Sequence, residues 1–247
     1  MDIKTYFFLF LIYSIMGWCM EVTLGIIENK KFVNRGFLIG PYCPIYGCGA
    51  ILITLLLQEF RDYPVAIFSM AIVICGVLEY FTSYVMEKVF HARWWDYSKK
   101  KYNINGRVCL ETIIPFGLLS CMIMYITNPF FEGILESISE HSLNVWYWIC
   151  VIFFIADCIV SLVVIFGLKK TVRDVHNSIV TDNTEEITKK VKEILLGKSI
   201  LDRRLIKAFP KISIEDVKKK IKENTMKAKE EITVHLKEGV AKIKKSK

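Results

Sequence analysis

The chain has 247 residues, of which 53% are hydrophobic, and its mean hydropathy is +0.37. A soluble globular domain of this length is less apolar, so the composition excludes one and favours an integral membrane protein. The net charge of +8 is unevenly distributed: residues 169–247 carry 22 Lys and Arg against 12 Asp and Glu, and residues 1–168 carry 11 against 13. The positive residues are mostly lysines interspersed with glutamates, and no groove-reading motif occurs, which argues against nucleic-acid binding.

Five apolar runs are long enough to cross about 30 Å of hydrocarbon. They lie at 4–24, 41–58, 64–86, 108–127 and 145–168. Pro41 and Pro64 suit the first turns of the second and third helices, and Asn128-Pro129 is expected to end the fourth. The sequence therefore predicts an all-α, polytopic transmembrane helix bundle at 1–168 and a helical tail at 169–247.

The distribution of Lys and Arg between the loops predicts the orientation of the bundle. The loops at 25–40 and 87–107 together hold nine of these residues, whereas the opposite side holds only Lys4 and Arg61 near the spans. With an odd number of spans, this bias places the N-terminus outside the cell and the tail in the cytoplasm.

The tail has the pattern of amphipathic helices with lysine-rich faces, as in the apolar spacing of Ile187, Val191 and Ile194. Such a tail is expected to lie near anionic lipid or to pair with a partner, and a solvated tail without a specific partner is the alternative. No GxxxxGK(S/T) phosphate loop occurs, so a separate chain must hydrolyse any ATP that is used. The eight cysteines lack metal-ligand or disulfide spacing, and we predict no metal, cofactor or catalytic residue.

A charged residue within or beside a predicted span costs free energy to insert, so it is expected to have a partner or a function. The acids expected in the cytoplasmic leaflet are Glu21, Glu79 and Glu111, with Asp157 nearer the centre of span five. The arginines on the same side, which can bind a carboxylate through two hydrogen bonds, are Arg35, Arg93 and Arg107. These groups either hold helix ends together as ion pairs or form a polar cavity, open to the cytoplasm, that handles a substrate or protons.

Two segments on that side have unusual compositions. Residues 93–111 read RWWDYSKKKYNINGRVCLE, and aromatic residues beside a basic cluster suit the membrane interface. Residues 36–49 read GFLIGPYCPIYGCG, which favours irregular backbone that is tolerated at membrane depth only when buried or lining a cavity. The candidate cavity residues are Glu21, Tyr42, Tyr46, Glu79, Arg93, Trp94, Trp95, Asp96, Tyr97, Asn103, Asn105, Arg107 and Glu111. The candidate packing or backbone positions are Gly36, Gly40, Pro41, Pro44, Gly47, Gly49 and Gly106.

Several sequence blocks occur together in a fixed order: GW at 17–18 with Glu21, GPYCPIYGCGA at 40–50, LEY at 78–80, RWWDYS at 93–98 and NINGRVCLE at 103–111. Over roughly residues 10–120 the chain resembles the CmpB-like family, bacterial multi-span membrane proteins labelled as ABC-transporter permeases. The resemblance implies a multi-pass protein of the bacterial plasma membrane and a separate ATPase subunit. It supplies no catalytic residue.

Three functions are compatible with these features. The first is a transport component, for which a homodimer is expected because five spans are few for a complete permease. The second is a membrane-embedded enzyme or binding protein that acts on a lipid head group, using Arg and Tyr at interfacial depth. The third is a membrane-anchored organising or sensing protein. The absence of a known catalytic motif makes an enzyme the less favoured alternative.

Overall fold

The computed structural model describes residues 1–178, apart from 31, 35, 91, 92 and 94, together with positions 194, 197, 201, 203 and 204 of the tail. Within the described range 1–178, six α-helices and one small hairpin follow in chain order: α1 (Ile3–Asn29), α2 (Pro44–Leu57), α3 (Pro64–Phe90), β1 (Asn103–Ile104), β2 (Val108–Cys109), α4 (Leu110–Met122), α5 (Asn128–Ser137) and α6 (Glu140–Ser178). Four stretches of helix are long and apolar enough to cross a membrane: Ile3–Ile27, Pro64–Phe90, Leu110–Ser137 and Glu140–Gly167. The predicted helical membrane bundle is thus confirmed.

The second predicted span is built differently from the others. Its helix is the shorter Pro44–Phe60, which consists of α2 and a 3₁₀ turn. It begins with Pro44 in its first turn, not with Pro41 as predicted, and Pro41 lies in the bend before it. Seventeen residues give about 25 Å of helix, so this element is shorter than the four long apolar helices, and a non-helical segment precedes it.

The non-helical segment 36–43 runs alongside α6 toward the start of α2. The ring of Phe37 packs on Phe90, which packs on Phe166, whereas the ring of Tyr42 packs on Phe154. Phe166 and Phe154 are about 18 Å apart along α6. The amide of Cys43 then donates to the carbonyl of Ser14, near the middle of α1, at 2.8 Å. The helix α2 therefore starts beside the middle of α1, and the non-helical segment leads to this point along α6.

The fourth span continues past the predicted end at Asn128-Pro129, so that prediction was wrong. A π-helical turn at Ile123–Thr127 joins α4 directly to α5, and Pro129 lies in the first turn of α5. The buried Asn128 side chain accepts a hydrogen bond from the Tyr13 hydroxyl at 2.6 Å and donates one to Thr54 at 2.7 Å. These contacts with α1 and α2 favour continuation of the helix at a dipeptide that usually ends one.

Close packing of two helix pairs positions the rest of the bundle. Gly47 of α2 contacts the backbone of Phe10 and the side chain of Ser14 in α1, so a larger residue would overlap both. Gly117 of α4 packs in the same way against Phe68 and Ile72 of α3. These small residues let the helix backbones approach each other closely, as is common in membrane bundles.

The connection between α3 and α4 is a folded structure that we call the cap, defined as residues 93 and 95–109. It contains the antiparallel hairpin β1–β2, with Asn103 opposite Cys109 and Ile104 opposite Val108. Its turn is closed by a hydrogen bond of 3.0 Å from the Arg107 amide to the Ile104 carbonyl. Asn105 and Gly106 occupy the centre of the turn with φ of 52° and 67°. An Asn-Gly pair favours this left-handed turn, which the all-helical prediction did not include.

Candidate functional site

Polar residues of the cap fix its own fold. The Tyr97 amide donates to the Gly106 carbonyl at 2.8 Å, and the Gly106 amide donates to the Asn103 side chain at 2.9 Å. Asp96 accepts a hydrogen bond of 2.9 Å from the Ser98 amide. Burial opposes ionisation of Asp96, but the Ser98 hydrogen bonds and the charge of Arg93 outweigh it and lower the pKa of this carboxyl. Asp96, Asn103 and Gly106 therefore hold the cap together.

An ion-pair cluster centred on Glu87 fastens the cap to α3. The Arg107 Nη2 lies 2.9 Å from Glu87 Oε2, and the Arg93 Nε lies 3.1 Å from the same oxygen. Arg107 is 7% exposed, donates to Ser83 at 3.2 Å and lies over the rings of Tyr80 and Tyr84. Arg93 also lies 3.5 Å from Asp96 within the cap.

These contacts correct the predicted pairing of the arginines. Arg93 and Arg107 bind Glu87, which the sequence did not single out, and not the trio of predicted acids. Glu111 is half-exposed and pairs with Lys100 at 2.6 Å, so it lies on the surface. Arg35 lies outside the described residues. The available signal for Glu87 was its spacing, since Glu79, Ser83 and Glu87 follow one face of α3 at intervals of four residues.

The other two acids meet beneath the cap in a group of side chains from four helices. The Tyr46 hydroxyl of α2 donates to Glu21 of α1 at 2.7 Å. Glu79 of α3 is 6% exposed and accepts from Thr112 of α4 at 3.4 Å. The Tyr97 hydroxyl of the cap also interacts with the Glu79 carboxylate, and the charge of Glu21 acts on both groups. We call Glu21, Tyr46, Glu79, Tyr97 and Thr112 the acid–tyrosine cluster.

Tyr97 shows the electrostatic character of this cluster. Burial raises its pKa, and the charge of Glu79, the hydrogen bond to that carboxylate and the charge of Glu21 raise it further. The hydroxyl is therefore a neutral donor to Glu79 throughout the physiological pH range. In the part of the chain that the structure describes, the hydrogen-bond partners of Glu21 and Glu79 are hydroxyl groups.

The other residues of the predicted blocks make contacts in the cap, in α1 and α2 and in the non-helical segment. Gly17 makes room for the ring of Tyr46, which also packs on Phe116. Trp95 donates to the Arg107 carbonyl at 3.0 Å, and Asn105 donates to the Tyr80 hydroxyl at 3.0 Å. Other predicted positions pack nearby, Gly40 against Tyr42, Gly36 beside the Tyr42 carbonyl and Gly49 against Leu78. Trp94 lies outside the described residues.

Asp157 of α6 supports the non-helical segment. Its carboxylate accepts from the amides of Ile39 at 3.2 Å and Gly40 at 2.9 Å, and Ser161 donates to it at 3.2 Å. A residue that the sequence did not single out, Asn34, binds the indole N–H of Trp18 at 2.7 Å. Among the described residues, no three His, Cys, Asp or Glu side chains come together as a metal-binding group.

A family model described as "Putative ABC-transporter type IV" matches residues 8–162, which include the cap and the acid–tyrosine cluster. The chain belongs to this family. The predicted resemblance is thereby confirmed, and membership of an ABC-transporter family agrees with the four long apolar helices of a multi-pass membrane protein. Neither the curated proteins nor the solved structures contain a match to the chain.

Proposed function

We propose that the protein is the membrane subunit of a transporter and that the acid–tyrosine cluster binds its cargo from the cytoplasmic side. The cargo carries a positive charge, as a protonated amine or as a proton passed between the two carboxylates. Family membership supports the transport role, and the buried acids support the position of the site. The orientation follows from the Lys and Arg bias of the loops.

The observation that carries this proposal is the contrast between two acids of α3. Glu87 is neutralised by two arginines, as expected of a structural carboxylate near a membrane surface. Glu79 lies two turns deeper, yet its partners among the described residues are the hydroxyls of Tyr97 and Thr112. Displacing a neutral hydroxyl creates no unpaired cation, whereas displacing an arginine would, so Glu79 can exchange its hydroxyl partners for a cation.

The surrounding structure suits a site that opens and closes. Tyr97 belongs to the cap, and Tyr46 follows the non-helical segment. Each acid is thus covered by a tyrosine from a different element, Glu79 by Tyr97 of the cap and Glu21 by Tyr46 in the first turn of α2. Arg93 and Arg107 are engaged with Glu87, which gives less support to a site for phosphate head groups.

We further propose that a separate ATPase supplies the energy, since the chain carries no phosphate loop. The protein is expected to act as a homodimer in the bacterial plasma membrane, with its basic tail near anionic lipid. Purification of the intact complex from native membranes tests the first point. A nucleotide-hydrolysing subunit should accompany the chain in equal amounts.

The cargo site is tested by ligand-induced thermal stabilisation of the full-length protein in nanodiscs, using panels of cationic, neutral and anionic metabolites. Cationic compounds should raise the melting temperature of the wild type and of Glu111→Gln, which alters an exposed ion pair. Glu79→Gln and Glu21→Gln should fold and lose the response. Compounds that still bind both of these variants would refute the placement of the site.

A further inference from the structure

The tail reaches back to the non-helical segment through Arg204. The Arg204 Nη2 donates to the carbonyl of Gly36 at 2.7 Å and also to the carbonyl of Leu38. Leu38 is itself buried. A guanidinium that bridges two carbonyls of an irregular segment fixes the path of the backbone there, because a charged donor forms stronger hydrogen bonds than a neutral one.

The same segment is also held by Asp157. The carboxylate binds the amides of Ile39 and Gly40, whereas the guanidinium binds the carbonyls of Gly36 and Leu38. The segment is therefore bound by both an acid of α6 and a base of the tail, which also attract each other. Two opposite charges satisfy backbone groups that no helix or sheet pairs.

The clamped segment leads directly to the acid–tyrosine cluster. It ends at Cys43, which is 8% exposed, and Tyr46 follows within the first turn of α2. The charges of Glu21 and Arg204 both act on the Cys43 thiol, so the tail and the cluster approach it together. A displacement of the segment would move the start of α2 and expose Cys43.

We propose that Arg204 acts as a latch. Its hydrogen bonds to the segment 36–43 hold that segment closed over the side of the acid–tyrosine cluster where Tyr46 lies. The Arg204 Nε is buried without a hydrogen-bond partner among the described residues, which makes the docked state costly enough to be released. The consequence of release for transport rests on the function proposed above. The latch itself can be tested without any cargo.

The test measures alkylation of Cys43 by N-ethylmaleimide in the full-length protein in nanodiscs, with the modified sites resolved by mass spectrometry. Arg204→Gln should increase the rate at Cys43 roughly ten-fold or more, because a hydrogen bond to a charged group typically changes an equilibrium by about that factor. Arg203→Gln is the matched control, since Arg203 is adjacent, equally charged and exposed. It should leave the rate unchanged.

Cys109 in the cap, which is 1% exposed, reports whether the fold as a whole has loosened. Its rate should stay at the wild-type value in Arg204→Gln. An equal increase at Cys43 and Cys109 would make Arg204 a general structural support and overturn the latch. An unchanged rate at Cys43 would overturn it as well. Neither result depends on cargo binding, so failure of the latch would not refute the cargo site, and failure of the cargo site would not refute the latch.

Discussion

Replacing Glu87 with Gln should detach the cap while leaving the helix bundle assembled. Glu87 is the shared partner of Arg107 and Arg93, whose side chains are 9% and 13% exposed. Removal of one partner from a fully buried ion pair costs about 3–5 kcal/mol, and the cost is smaller here because Glu87 is 18% exposed and Gln keeps an acceptor oxygen. We therefore expect about 2–3 kcal/mol for opening of the cap.

Hydrogen exchange of the cap peptides measures this opening directly. A change of about 2–3 kcal/mol corresponds to exchange that is roughly 30–150 times faster, since each 1.4 kcal/mol is a factor of about ten. Glu111→Gln is the control, because its exposed pair with Lys100 should contribute less than about 1 kcal/mol. The reasoning is refuted if the two variants exchange at the same rate in the cap, or if Glu87→Gln accelerates exchange equally in all helices.

Three further substitutions test other parts of the molecule. Gly106→Ala should destabilise the cap by about 1–2 kcal/mol by hydrogen exchange, because φ is positive there and a Cβ would meet the Asp96–Ser98 turn. The raised pKa of Tyr97 in the folded protein stabilises the fold at pH values below the pKa of the unfolded chain, and this contribution is lost as pH rises through the folded-state pKa. Tyr97→Phe should therefore weaken the pH dependence of thermal stability above about pH 10. Asn128→Ala should lower the free energy of unfolding by about 1–3 kcal/mol in denaturant titrations, since it leaves the hydroxyl of Thr54 buried without its donor.

The sequence was sufficient to predict the bundle because long apolar runs have few alternatives to membrane helices. It placed Glu21 and Glu79 at the same end of the bundle, and the two do interact, but it did not predict their partners. Depth along a helix follows from residue number, whereas the direction of a side chain depends on how the helices pack. Arg107 could therefore be assigned to the right end of the bundle and still be paired with the wrong acid.

Non-local contacts explain the other differences. Asn128 continues a helix that its sequence should end, because Tyr13 and Thr54 supply partners from distant parts of the chain. The residues before α2 remain non-helical because Asp157, more than a hundred residues later in the sequence, accepts hydrogen bonds from their backbone amides. By contrast, the hairpin of the cap had a local signal in Asn105-Gly106, and propensity reasoning alone could have found it.

The non-helical segment 36–43 and α2 connect the proposed latch to the proposed cargo site. The segment is held by Asp157 and Arg204, and the helix brings Tyr46 to Glu21. A straight helix would resist a local displacement of its backbone, because its own backbone hydrogen bonds oppose bending. A segment whose backbone groups are hydrogen-bonded by side chains from two other elements can move when either set of hydrogen bonds breaks. Because Tyr97 links the cap to Glu79 in the same cluster, the proposed movements of the tail and of the cap would act on the two acids through separate tyrosines. Independent control of the two carboxylates is what a site needs if it is to bind a cation from one side and release it without exposing both charges at once.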